Sequence, residues 1–134
     1  LVIVGKDANC FGVGKARQEI DAQLAGAAVP AVLHCIPDPP VEKWLLLDSQ
    51  AITAVGGASQ RAIALDKCGK RHKEFYKEVL RTCFTVDNAP PAQGGLEFAP
   101  QLAEAIDVYR CCVADPSFKR FVDDLRAALR QMRN

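Results

Sequence analysis

Two short apolar runs on either side of a helix-length amphipathic stretch restrict this chain more than any other feature. Leu1-Val2-Ile3-Val4 leads into Gly5-Lys6-Asp7-Ala8-Asn9, and Ala31-Val32-Leu33-His34-Cys35-Ile36 leads into Pro37-Asp38-Pro39-Pro40-Val41-Glu42. Between them Val13, Ala16, Ile20 and Leu24 recur at helical spacing, and Gly26 supplies a stop. Strand, helix, strand with short connections is a βαβ unit, for which a right-handed crossover is the rule. Nearly continuous apolar strands are expected where a parallel sheet is covered on both faces. The expected fold class is therefore α/β, with a Rossmann-like parallel sheet core over residues 1–57.

Beyond the second strand the chain reads as helical, and 58–134 as mainly helical. A helix from Val41 to the Gly56-Gly57 stop buries Trp44, Leu45, Ile52 and Val55, with Pro39-Pro40 at its start. A second runs from Arg71 to Phe84, placing Phe75, Val79 and Cys83 on one stripe with Tyr76 and Leu80 beside it. Asn88 to Gly95 is a loop rich in proline and glycine. Two further helices follow, one marked by Leu102, Ile106, Tyr109 and Val113. The other opens at Asp115-Pro116-Ser117 and carries Phe118, Phe121, Val122, Leu125 and Leu129 on its apolar face. At 134 residues the simplest organisation is one domain, 1–134. Leu1 stands first and the only methionine is Met132, so the expectation is a chain lacking its N-terminal part.

The formal net charge of +1 excludes a uniformly basic nucleic-acid coat but permits a local basic face. No apolar run approaches the roughly 20 residues of a membrane helix, and no signal-peptide pattern stands at the start. The six cysteines, at 10, 35, 68, 83, 111 and 112, form no CxxC pair and no compact framework. Reduced thiols in a cytoplasmic protein are the expectation. A zinc site from His34, Cys35, Cys68 and His72 is the alternative.

Three segments carry candidate chemistry. Asp7 and Asn9 put two oxygen donors at a strand's C-terminal end, where a hard cation such as Mg2+ is readily held; a local Asx turn is the plainer alternative. Glu42, in the first turn of the next helix, is a second candidate carboxylate or a helix-dipole partner. Asp38 is a nearby substitute or a turn-shaping residue, and Asp48 reads as a solvated helix residue. Lys67, Lys70, Arg71, Lys73 and Lys77 form the densest positive charge, suited either to phosphates or to a solvated helix face; His72 among them is a candidate general acid or base. Gly12-Val13-Gly14-Lys15 departs from the Walker loop at Asn9 and Ala16, so it reads as a loop opening a helix, with nucleotide phosphate as a weaker option.

The strand ending in Asp7-x-Asn9, followed by Ile36-Pro37-Asp38-Pro39-x-x-Glu42-x-Trp44-Leu45-Leu46-x-Asp48, resembles the C-terminal part of bacterial Toprim-like proteins. A weaker likeness continues through Asp66-Lys67, Tyr76-Lys77 and Leu80, then Gly94 to Ala99 and Asp115 to Phe121. The resemblance implies a Toprim-like sheet and a Mg2+- or Mn2+-dependent nuclease activity on phosphodiesters. In that reading Asp7, Asn9, Asp38 and Glu42 are metal ligands, with Asp7 and Glu42 catalytic. Lys67, Lys70, Arg71, Lys73 and Lys77 contact nucleic acid. It also implies an ATPase partner and a phage-defence or DNA-repair setting. Asn9 replaces the second aspartate of the family's Asp-x-Asp motif, and the family's early glutamate would lie before Leu1. A non-catalytic module docking onto an ATPase is the alternative implied by those two departures.

Overall fold

The computed structural model describes residues 1–58 and 68–133. The βαβ unit is present: β1 (Val2–Gly5), α1 (Val13–Leu24) and β2 (Val32–Cys35). The strands pair in parallel with Val2 opposite Val32 and Gly5 opposite Cys35. Val4, Ala8, Ala16, Ile20 and Ile36 close a small core between α1 and the strands. Among the described residues the sheet has two strands. The molecule is thus mixed α/β with a helical C-terminal part. One expectation is corrected: β1 is not covered on both faces. Helix α7 (Pro116–Arg133) packs along β2, and Leu33 there is buried while Ile3 of β1 is 56% exposed.

The expected single helix after β2 is two: α2 (Val41–Leu45) and α3 (Ser49–Ala54). Asp48 causes the break, since its Oδ1 accepts from Gln50 N at 3.0 Å and from Ala51 N at 3.4 Å, and a side chain capping N–H groups starts a helix rather than continuing one. It is 2% exposed and pairs with Arg110 at 2.8 Å, so it is not a solvated helix residue. Helix α4 (His72–Cys83) matches expectation, burying Tyr76, Leu80 and Cys83. Gly95 opens the 3-10 turn Leu96–Phe98 at φ 95°, and a Cβ there would meet Leu80 Cγ at 2.9 Å, so both backbone and space require glycine.

The next expected helix is also two, α5 (Ala99–Ala105) and α6 (Val108–Ala114), because Asp107 caps α6 through Arg110 N at 2.8 Å. This turns Tyr109 and Val113, expected in the core, out to 78% and 72% exposure. On α7, Phe118 and Val122 are buried as expected, whereas Leu129 is exposed. Trp44, Cys111, Phe118 and Val122 form the core that ties α2 to α6 and α7. Among the described residues no helix is long and apolar enough to cross a membrane.

The thiols are not all reduced. Cys10 and Cys68 form a disulfide with Cα atoms 5.7 Å apart, while Cys35, Cys83, Cys111 and Cys112 remain thiols. This removes Cys68 from any zinc set. His34 is also engaged, its Nε2 lying 2.7 Å from Asp21 Oδ1.

Candidate functional site

The two loops that follow β1 and β2 continue as a hydrogen-bonded pair beyond the strands. Lys6 N donates to Cys35 O, Ala8 N to Pro37 O and Asn9 N to Pro39 O, at 2.8–3.0 Å. Their carboxylates then cross. Asp7 Oδ1 accepts from Val41 N at 3.1 Å, and Asp38 Oδ1 accepts from Cys10 N at 3.0 Å. Each loop's aspartate thereby satisfies an N–H of the other, a strong use of an ionised acceptor. Val41 is the first residue of α2, so Asp7 also sits at that helix's positive end.

Asp7, Asn9 and Asp38 are brought together by these contacts, and Glu42 follows the residue that Asp7 holds. Glu42 is buried at 6% exposure, and no hydrogen bond or ion pair to its carboxylate occurs among the described residues. Asn9 Nδ2 donates to Asp7 O at 3.3 Å, leaving Asn9 Oδ1 buried and without a hydrogen-bond partner among the described residues. A buried unpaired amide oxygen is costly, and a hard cation or its water would relieve that cost. Burial pushes the Cys35 thiol up, and the charge of Asp7 adds to that shift.

Behind the crossing lies a second polar group. Burial pushes the Asp115 carboxyl up, but hydrogen bonds from Lys43, Ser117 and Phe118 N outweigh it and hold the group below the ordinary carboxylate range. Lys43 Nζ is 2.7 Å from Asp115 Oδ2, and both side chains are almost fully buried. Ser117 Oγ donates to Asp115 Oδ1 and accepts from Trp44 Nε1 at 2.9 Å and from Asp38 N at 3.2 Å. Asp38 therefore does more than shape a turn; it links the loop crossing to α7. Trp44 packs on Phe118 and Phe121, with ring centroids 5.2 and 5.6 Å away. Sequence reading missed Lys43, Asp115 and Ser117, since only the docking of α7 brings positions 43 and 115 together.

Oxygen donors suit Mg2+, which characteristically takes one or two carboxylates and completes its shell with water and substrate phosphate. Asn9, Asp7 and Asp38 offer oxygen donors of that kind on the two hydrogen-bonded loops. Among the described residues no group of three or more His, Cys, Asp or Glu side chains is placed to hold a metal ion.

Of the basic run, Lys70, Arg71, Lys73 and Lys77 are exposed around the start of α4, whereas Lys67, like Asp66, lies outside the described residues. His72 Nδ1 is 2.7 Å from Gly69 O, and its Nε2 is buried without a hydrogen-bond partner. Gly12 precedes α1 without a side-chain cap, and Lys15 lies over the Phe11 ring at 4.7 Å. No family model, curated protein or solved structure matches this chain.

Proposed function

We propose that this chain is a Toprim-like, Mg2+-dependent domain acting on phosphodiesters. The observation that carries the reading is the loop crossing, in which Asp7, Asn9 and Asp38 gather beside the start of α2 and Asn9 Oδ1 is left buried without a hydrogen-bond partner among the described residues. Asp7 is the principal ligand and Asn9 contributes its amide oxygen. Asp38 orients the loop through Cys10 N, and Glu42 adds a second carboxylate. Mg2+ or Mn2+ bound there supplies Lewis-acid stabilisation of charge growing on the phosphate. Lys70, Arg71, Lys73 and Lys77, with Lys67, hold the nucleic-acid backbone without reading its sequence. A phage-defence or DNA-repair setting and a cytoplasmic location accompany this reading.

A second reading, a non-catalytic module docking onto an ATPase, is favoured by the apolar side chains exposed on β1 and α6, Ile3, Tyr109 and Val113 among them. Titrating Mn2+ or Mg2+ while following thermal unfolding separates the two. On the catalytic reading the ion raises Tm, Asp7→Ala abolishes the rise, and Asn9→Ala reduces it. A wild-type chain indifferent to both ions sinks the catalytic reading and leaves the docking module.

A further inference from the structure

Cys10 directly follows Asn9, and Cys68 stands four residues before His72, the first residue of α4. Their disulfide fastens the Asp7–Cys10 loop to the approach to α4 across 58 residues of chain. The loop is held in a shape that few side chains favour: Asn9 and Cys10 have φ values of 51° and 65°. Consecutive left-handed residues bearing a Cβ persist only where surrounding contacts impose them. Those contacts are the hydrogen bonds of Ala8 N, Asn9 N and Cys10 N, together with the disulfide. Cys68 also lines a cavity of about 440 Å3, along with Asp38, Lys43, Tyr76, Asp115 and Ser117. The bond therefore spans from the candidate ligand loop to the cavity next to it.

We infer that the Cys10–Cys68 disulfide is a redox clamp on the candidate cation site: closed, it keeps the Asp7–Cys10 loop in cation-binding shape, and reduction by a dithiol releases the loop and weakens binding. The inference rests on the proposed cation site and adds its regulation. Oxidation is confined to the pair that flanks this site, since Cys35, Cys83, Cys111 and Cys112 remain thiols, adjacent Cys111 and Cys112 included. Cys68 is exposed, so a small thiol reaches the bond from its side. A thiolate of the dithiol attacks Cys68 Sγ, the Cys10–Cys68 bond breaks, and Cys10 leaves as a thiolate that takes up a proton. The dithiol's second thiolate then attacks its own sulfur in the mixed disulfide, freeing Cys68, which is protonated in turn. Two electrons pass to the protein, and the dithiol ends as a cyclic disulfide.

The test measures Mn2+ affinity of the full chain by calorimetry after equilibration with oxidised or reduced dithiothreitol, alongside amide hydrogen exchange of residues 8–11. Reduction should weaken Mn2+ binding on the order of tenfold, as when a binding-competent loop becomes one state among several, and should speed exchange at those amides. The double variant Cys10→Ser/Cys68→Ser should bind Mn2+ like the reduced chain whether or not dithiol is present. Equal Mn2+ affinity in both redox states, or unchanged exchange, overturns the clamp while leaving the cation site standing. Absence of Mn2+ binding in either state overturns the cation site and the clamp together.

Discussion

The most consequential single residues are two buried aspartates. Asp115 accepts from Ser117 Oγ and Phe118 N and pairs with Lys43, so it joins α2 to the start of α7. Breaking a buried, hydrogen-bonded ion pair from one side costs about 3 kcal/mol. Asp115→Asn should lower stability by that order in urea unfolding, whereas Asp123→Asn, which breaks an exposed pair with Lys119, should change it by less than about 1 kcal/mol. Asp48 and Asp115 are both held below the ordinary carboxylate range. A depressed folded-state pKa adds stability above the unfolded value, near 3.9, which is lost as pH falls through the folded one. Stability should therefore hold from neutrality to about pH 4 and decline below it, and less steeply in Asp115→Asn.

At the level of elements, short helices defined by aspartate caps replace the long helices that apolar spacing suggests. Asp48 opens α3 and also reaches Asp107 N at 2.8 Å and Arg110 Nη2 at 2.8 Å, so one carboxylate fixes both the α2–α3 break and the α5–α6 break. Asp48→Ala removes a cap and leaves buried N–H groups unmet, and should cost about 2 kcal/mol. Amide exchange should accelerate first in α3 and at the start of α6. If Asp48→Ala leaves stability and exchange unchanged, this carboxylate does not organise the two helix junctions. The strands behave differently: their parallel pairing follows from apolar runs joined by a helix of adequate length, and its register runs from Val2 opposite Val32 to Gly5 opposite Cys35.

For the molecule as a whole, the disulfide joins the βαβ unit to the helical part, and closing a loop of this length restricts the unfolded chain by about 4 kcal/mol. Adding dithiothreitol should lower the urea midpoint by a corresponding amount. In the Cys10→Ser/Cys68→Ser variant the reductant should have no further effect. A midpoint insensitive to reductant would mean that the bond contributes nothing to global stability. Below that scale the three apolar clusters each belong to a different junction: sheet with α1, α2 with α6 and α7, and α3 with α4 and α5.

Much of this was legible in residue order. Local pattern determined β1 and β2, as short continuous apolar runs, and α1, α4 and α7, as runs whose apolar side chains repeat at the helical period. Acidic residues at the ends of both strands were likewise visible in the sequence. Contacts between distant positions were decided by tertiary structure alone. Lys43 with Asp115, Asp48 with Arg110, and Cys10 with Cys68 are separated by tens of residues, and no local pattern encodes such partners. The same holds for what is exposed: β1 and α6 carry apolar residues at suitable spacings, yet Ile3 and Tyr109 face outward because the helices that could cover them lie elsewhere. Periodicity reports which face of an element is apolar, and only the assembled molecule determines what that face meets.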